Sequence, residues 1–206
     1  LAAIDDPRAT EALCAALKQK GKDPFAARIA DAIGQKQRPQ AIPTLEGLVK
    51  AKDTEPQLRN SAARALGKQG NRGIDTLIDV AQSESDQVTD AMRQASRAAL
   101  AACNEDRAWR GLAPLALKGG KNEQIAILRL LAPAKGVKAV STVRQKLAQD
   151  SDDAIAATAW RQLAAEGYPR AEALLEDIMS RMGSSPQPEA RAEVISSASF
   201  FDWCAE

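Results

Sequence analysis

Few residue types in this sequence are able to do chemistry, because it contains no histidine. Histidine triads, histidine general bases and every histidine-containing metal site are therefore excluded. Neighbouring carboxylates such as Asp5/Asp6 and Asp152/Asp153 are possible ligands, but neither of these pairs recurs with a third ligand at helical spacing, as a metal site would require. Both pairs lie at expected turns, where aspartate accepts backbone N–H bonds and caps a helix.

The three cysteines, Cys14, Cys103 and Cys204, are odd in number and widely spaced, unlike a disulfide framework. They fall in the first, fourth and last units of the repeat described below, too far apart to be bridged. We expect three free thiols. The sequence also contains no glycine-rich phosphate loop, nucleophile elbow or paired Cys-x-x-Cys motif. We therefore expect no catalytic residue, no metal site and no cofactor.

The composition indicates which elements must position the remaining side chains. Of 206 residues, 45% are hydrophobic but only 3% are aromatic, which favours helices packed through small side chains and an all-α fold. The 28 basic and 27 acidic residues give a net charge of +1, so there is no general reason to bind polyanions. Stretches without a charge, such as 98–104, are far shorter than the roughly 18 residues that cross a bilayer. We expect no membrane insertion.

The chain repeats itself at a nearly constant spacing. Ala-rich segments ending in a small residue recur with last positions at 34, 67, 101, 132 and 164, a period of 31 to 34 residues. The segments are 25–34 (FAARIADAIG), 58–67 (LRNSAARALG), 92–101 (MRQASRAALA), 123–132 (EQIAILRLLA) and 155–164 (IAATAWRQLA). These predict first helices near 24–34, 56–68, 87–103, 122–132 and 153–165, and no strand. The small last residue suits a tight helix end and close approach of the next backbone, and Gly34 and Gly67 are able to take positive φ.

A second amphipathic run follows each of these segments. The apolar spacing i, i+3, i+4, i+7, as in Ile74, Leu77, Ile78 and Ala81, predicts one buried stripe per helix. The runs are 41–49, 74–81, 108–116, 139–147 and 171–178. Because no helix pair can bury its stripe alone, the pairs must stack on one another. The predicted fold is a right-handed α-solenoid of about six helix pairs.

The best-preserved unit carries a family resemblance. Residues 58–81 and the preceding Pro56 resemble the HEAT-like repeat of the phycobilisome-lyase type, in which an apolar-Arg pair opens the first helix and Ala-Leu-Gly ends it. The positions that fit are Pro56, Leu58, Arg59, Ala62, Ala63, Ala65, Leu66 and Gly67. Met92-Arg93 repeats the pair, whereas 123–124 and 155–156 depart from it. The resemblance implies that partners bind the concave surface lined by the second helices.

Exposed positions on the second helices are thus the candidate binding residues. They are Thr44, Glu46, Lys50, Asp75, Thr76, Asp79, Trp109, Arg110, Ala113, Lys138, Thr142, Lys146, Glu172, Glu176 and Asp177. Our partner-binding set is Trp109, Arg110, Asp75, Asp79, Thr142, Glu172 and Glu176. Trp109 is the best single anchor, with packing inside the helix array as its alternative. Mixed acidic and basic units, without a uniform basic groove, predict a protein or peptide partner and no nucleic acid.

A column on the first helices, Arg64, Arg97, Arg129 and Arg161 with Asp31 before it, predicts inter-repeat ion pairs. We expect the repeat array to span 1–182, followed by a linker at 183–188 and a terminal helix at 189–206. There Phe200, Phe201 and Trp203 either cap the last repeat or form a docking tail. The sequence opens in the middle of a repeat, which suggests a fragment of a longer chain.

The function predicted from these features is a non-enzymatic interaction scaffold. The alternatives come from HEAT-like relatives that attach or detach bilins on protein cysteines and from HEAT-like proteins that remove alkylated bases from DNA. We expect a cytoplasmic protein, with export after removal of a signal left open. The oligomeric state is not determined by the sequence.

Overall fold

A computed structural model describes residues 6–19, 25–35, 37–169 and 174. Every regular element in this part of the chain is a helix, and none is a strand. The ten α-helices are α1 (Pro7–Gln19), α2 (Ala26–Ile33), α3 (Ile42–Lys50), α4 (Pro56–Gly67), α5 (Asn71–Gln82), α6 (Asp90–Cys103), α7 (Asp106–Leu112), α8 (Lys121–Leu131), α9 (Lys138–Leu147) and α10 (Asp153–Ala165). Short 3-10 helices cover Pro39–Ala41 and Ala113–Leu117. The predicted all-α repeat fold, an α-solenoid, is confirmed.

The described helices group into two compact units, one ending at Leu112 and the other beginning at Ala113. In the first unit, α2, α4 and α6 pack in succession as the layer of first helices. The second helices α3, α5 and α7 pack against them and against one another. Each stripe is buried as expected, with Leu45, Leu77 and Leu112 fully enclosed. In this unit the period in the sequence is therefore the period of the helix pairs.

In the second unit, α8, α9 and α10 pack together with the 3-10 helix at Ala113–Leu117. The sequence predicts one second helix over 108–116, but α7 ends at Leu112 and the 3-10 helix replaces its last part. Pro114 accounts for the change, because proline has no N–H and its ring clashes with the carbonyl four residues earlier in an α-helix. The predicted linker at 183–188 and terminal helix at 189–206 lie outside the described residues.

The small residues that end the first helices permit close helix packing. A Cβ on Gly34 would lie 2.8 Å from Ala65 Cα, and one on Gly67 would lie 2.5 Å from Cys103 Sγ. The predicted close approach at these glycines is confirmed. Neither uses the positive φ that glycine permits, since Gly34 has φ −71° and Gly67 is the last helical residue of α4. What these positions require is the absence of a side chain, since the next first helix in the chain lies directly against them.

A recurrent hydrogen bond joins each of three first helices to the second helix before it. The Arg59 guanidinium donates to Ala51 O (2.9 Å), Arg93 donates to Ser83 O (3.0 Å) and Trp160 Nε1 donates to Ala148 O (2.8 Å). The acceptors, Ala51, Ser83 and Ala148, are the residues that cap the carboxyl ends of α3, α5 and α9. These donors satisfy carbonyl groups that a helix end leaves without partners. The apolar-Arg pair thus has a structural role, and in α10 an indole performs it.

Candidate functional site

The exposed residues of α3, α5 and α7 form the surface that the sequence singles out. We call Glu46, Lys50, Asp75, Asp79, Asp106, Arg107 and Arg110 the second-helix face of the first unit. Side chains at Asp75 and Asp79 project from α5 at positions i and i+4, on the side opposite the buried Ile74 and Leu77. The seven residues carry four acidic and three basic groups, and Arg72, also exposed on α5, adds a fourth basic group. This surface is therefore mixed in charge, as predicted.

An ion pair links two neighbouring second helices within this face. Arg107 on α7 donates from Nε to Asp75 Oδ1 (2.6 Å) and from Nη2 to Asp75 Oδ2 (2.8 Å) on α5. The hydrogen bond and the charge of Asp75 raise the pKa of Arg107. A two-pronged contact of this kind fixes the direction as well as the distance of both groups. Asp75 is therefore held in place by the repeat that follows it.

The other charges on the second-helix face are paired within single helices, with one exception. Glu46 binds Lys50 in α3, and Arg110 lies 3.4 Å from Asp106 in α7. Asp79 is exposed and makes no hydrogen bond or ion pair with another described residue. Of the predicted set, Arg110, Asp75 and Asp79 thus share one face, and Asp79 is the member whose carboxylate is open to a partner.

Trp109 does not belong to this face. Only 2% of its surface is exposed, and its neighbours Ala108 and Leu112 are fully buried. The prediction of an exposed Trp109 anchor is therefore wrong, and the packing alternative is correct. The residue that meets Asp75 is Arg107, which the sequence analysis missed. The signal was present, because a buried stripe at 108, 109 and 112 directs 106, 107 and 110 outward.

Of the remaining predicted binding residues, some lie in the second unit and the others lie outside the described residues. Thr142 is exposed on α9, and its hydroxyl donates to Lys138 O (2.9 Å). Ala113, on the wider list of candidates, is buried. Glu172 and Glu176 lie outside the described residues, as do Asp177 and Cys204.

The first-helix layer confirms one predicted ion pair. Arg64 on α4 lies 3.3 Å from Asp31 on α2, and both side chains are about half exposed. Arg97, one position out of the predicted register, is directed to Ala81 O at 3.5 Å instead. Cys14 and Cys103 are free thiols, as expected. Burial raises the pKa of Cys103 to about 11, so this thiol is protonated near neutral pH.

A buried charge cluster in the second unit was not predicted. Arg144 on α9 is 0% exposed and donates to Glu166 Oε1 (2.6 Å), Gln162 Oε1 (2.8 Å) and the carbonyls of Leu131 (2.6 Å) and Ala134 (3.2 Å). Burial lowers the pKa of Arg144, and the charge of Glu166 opposes that shift. The cluster ties α9 to the end of α8 and to α10. Its role is to hold these three helices together.

A cleft of about 390 Å³ lies beside this cluster. Lys135, Gly136, Ser141, Ala165, Glu166, Gly167, Tyr168 and Pro169 line it. Glu166 accepts hydrogen bonds from Ser141 Oγ (3.1 Å) and from Gly136 N (3.3 Å) as well as from Arg144. The polar groups on the inner wall are thus bonded to one another, while Tyr168 and Pro169 present apolar surface.

Two further observations concern the described residues alone. They contain no group of three or more Cys, Asp or Glu side chains placed to hold a metal ion. Their helices include none with the length and apolar character of a bilayer-spanning segment.

Comparison with known proteins identifies the repeat. Residues 10–101 match the family model of HEAT repeats, which confirms the predicted HEAT-like resemblance over this segment. No curated protein matches the sequence significantly. Human deoxyhypusine hydroxylase in complex with glycerol is a similar solved structure, with 15% identity, a TM-score of 0.41, and coverage of 96% of this chain and 92% of that one. The complex of CpcE and CpcF of phycocyanin lyase from Nostoc sp. PCC7120 has 19% identity, a TM-score of 0.33, and coverage of 94% and 99%. Both TM-scores are too low to bear on activity.

Proposed function

We propose that this HEAT-repeat chain is a non-enzymatic scaffold that binds a protein or peptide partner through its exposed second-helix residues. The observation that supports the proposal best is the Asp75–Arg107 pair, which fixes the charges of adjacent second helices relative to each other. A surface whose side chains are already held in position loses less conformational entropy when a partner binds. Asp79 beside it offers a carboxylate without an internal partner.

The mixed charge of the second-helix face favours a protein partner over a nucleic acid. A phosphate backbone is bound by a run of Lys and Arg residues, because neutralising many phosphates supplies most of the affinity. Here four acidic groups stand among four basic ones, Arg72 included. Alternating charges suit a partner surface with complementary charges of both signs, which provides specificity.

The enzymatic alternatives gain no support from the described residues. A base-excision function would need an aromatic side chain to hold an extruded base, and Trp109 is buried instead. The carboxylates of the second-helix face are bound to arginine or lysine, apart from Asp79, and do not converge on a cavity. No observation favours bilin transfer.

The proposal is tested by paired substitutions in the full chain. Partners captured by the wild type are identified, and binding is then measured for the double variant Asp79→Ala/Arg110→Ala. The matched control is Asp31→Ala/Arg64→Ala, which also removes one exposed acid and one exposed base but lies on the first helices. We expect the first variant to weaken binding by about tenfold or more and the control to leave it unchanged. Equal effects of the two variants would contradict the proposal.

A further inference from the structure

The second helix of the second unit differs in charge from those of the first unit. The helix α9 exposes Lys138 and Lys146, two turns apart, and Lys135 is exposed just before it. Within the described part of the chain, none of the three ammonium groups makes an ion pair or a hydrogen bond, and α9 contains no acidic residue. In the first unit, by contrast, Lys50, Arg107 and Arg110 all have carboxylate partners.

Two carboxylates of the same unit are already committed to other cations. Glu166 binds the buried Arg144 at 2.6 Å, and Asp152 lies 3.1 Å from Lys121. Neither is available to the three lysines. Arg144 is neutralised by Glu166, so among the described residues the exposed positive charge on and just before α9 comes from Lys135, Lys138 and Lys146.

Lys135 also lines the cleft of about 390 Å³. The carboxylate of Glu166 in this cleft already has three hydrogen-bond donors, which are Gly136 N, Ser141 Oγ and Arg144. The opposite wall includes the ring of Tyr168, which is 39% exposed and lies with its centroid 6.3 Å from that of Trp160. An entering group would therefore gain by apolar contact with Tyr168 and Pro169 and would find few unpaired polar groups.

We propose that this surface, Lys135, Lys138 and Lys146 together with the cleft, binds an acidic peptide segment that carries one apolar side chain. The carboxylates of the segment pair with the three lysines, and the apolar side chain enters the cleft against Tyr168. This assignment rests on the proposed scaffold function and names the chemistry of one of its partners.

A protein segment fits this surface better than a nucleic acid. Three lysines match a short acidic stretch, whereas the affinity for a nucleic acid comes from neutralising many phosphates. The chain as a whole supplies no further excess of positive charge, with 28 basic against 27 acidic residues. A single-stranded oligonucleotide is therefore included in the test as the competing ligand.

The test measures fluorescence anisotropy of a labelled glutamate-rich peptide with one central leucine, titrated with the full chain. Two control peptides replace the leucine by glycine or all the glutamates by glutamine. We expect salt-sensitive binding of the first peptide and losses of about tenfold or more for both controls. The double variant Lys138→Glu/Lys146→Glu should lose binding to a similar extent. The variant Lys18→Glu/Lys52→Glu, with the same change of charge in the first unit, should bind like the wild type.

Several results would overturn the assignment. These are equal binding of the glutamate and glutamine peptides, no binding of either, equal loss in the two lysine variants, or tighter binding of the oligonucleotide. Thermal unfolding of each variant verifies that the exposed substitutions leave the fold intact. A further outcome is that the peptide shows no binding while Asp79→Ala/Arg110→Ala still weakens the binding of a captured partner. In that case the scaffold function stands, and only the assignment of an acidic segment is lost.

Discussion

Arg144 is the residue on which the packing of the second unit depends most. A guanidinium in the core is tolerated only if its charge and its donors are satisfied, and here one carboxylate, one amide and two backbone carbonyls meet that need. The sequence does not distinguish it from the exposed Lys146 two residues later. Its partners lie 10 to 22 residues away in the chain, beyond the reach of a local pattern.

Removing the guanidinium should destabilise the second unit strongly. Arg144→Met leaves Glu166 as a charge without its cation and removes the donor to Ala134 O, while Leu131 O keeps its bond from Ala134 N. A broken buried pair of this kind costs about 3–5 kcal/mol. Urea unfolding followed by circular dichroism measures the change. Lys146→Met, on the exposed side of the same helix, is the control and should stay within about 0.5 kcal/mol of the wild type. Similar midpoints for the two variants would show that Arg144 is dispensable.

Trp109 should behave as a core residue. Trp109→Ala removes a large buried side chain and should cost about 3–5 kcal/mol, comparable with about 2–5 kcal/mol for Leu112→Ala in the same stripe. Differential scanning calorimetry of the two variants provides the comparison. If Trp109→Ala unfolded at the same temperature as the wild type, Trp109 would not be a core residue, which would contradict the packing described here.

Cys103 provides a pH-dependent prediction. Burial, with a smaller contribution from the charge of Glu105, raises the pKa of this thiol from 9.0 to about 11, although Lys68 opposes the shift. The folded chain therefore keeps its proton at a pH where the unfolded chain has lost it. The stabilisation linked to this thiol is complete below about pH 9 and is lost as the pH rises through about 11.

Alkylation of Cys103 by iodoacetamide, followed by mass spectrometry of its peptide, checks this prediction. In the folded chain the rate should rise towards pH 11, and in urea it should rise near pH 9. The stability lost between these values should be smaller in Cys103→Ala. Equal pH profiles in the folded and unfolded chains would show that the thiol is not shielded.

At the scale of the elements, the sequence predicted the first helices to within a few residues. The prediction of 87–103 began too early because α6 starts at Asp90, where the Thr89 hydroxyl accepts from Met92 N at 3.4 Å and caps the helix. The small residues at the helix ends, and the close approach of the next backbone that they allow, were both predicted from the sequence. A local pattern reports that a position is small; it does not report which neighbouring helix lies against it.

Substitutions at Gly34 and Gly47 distinguish the effect of close helix packing from the effect of helix propensity. Gly34→Ala should destabilise the chain by about 1–3 kcal/mol, because the new Cβ would lie 2.8 Å from the backbone of α4 at Ala65. Gly47→Ala, inside α3 with no atom within 4 Å of the added Cβ, should stabilise it by about 0.5–1 kcal/mol. If α2 and α4 pack as described, chemical denaturation should show that the free energy of unfolding falls in Gly34→Ala and rises in Gly47→Ala. Stabilisation by both would mean that this contact has room for a methyl group.

At the scale of the whole molecule, the repeat was predictable from the sequence. Each helix pair of a solenoid buries the same face, so the spacing of apolar residues recurs with the period of the pairs. The site was predicted only in part. Asp75, Asp79 and Arg110 lie on one face because helical spacing alone decides which side of α5 and α7 is exposed. The Asp75–Arg107 pair, the Arg144 cluster and the cleft depend on how successive helix pairs dock, and a single sequence does not encode that docking as a readable pattern.

The most direct test of the scaffold function is the footprint of a captured partner on the full chain. Hydrogen–deuterium exchange with and without the partner compares protection of the second helices α3, α5, α7 and α9 with protection of the first helices α2, α4, α6, α8 and α10. We predict added protection and slower exchange on the second helices, with the first helices unchanged. Protection confined to the first helices would contradict the central claim that the second-helix residues bind the partner.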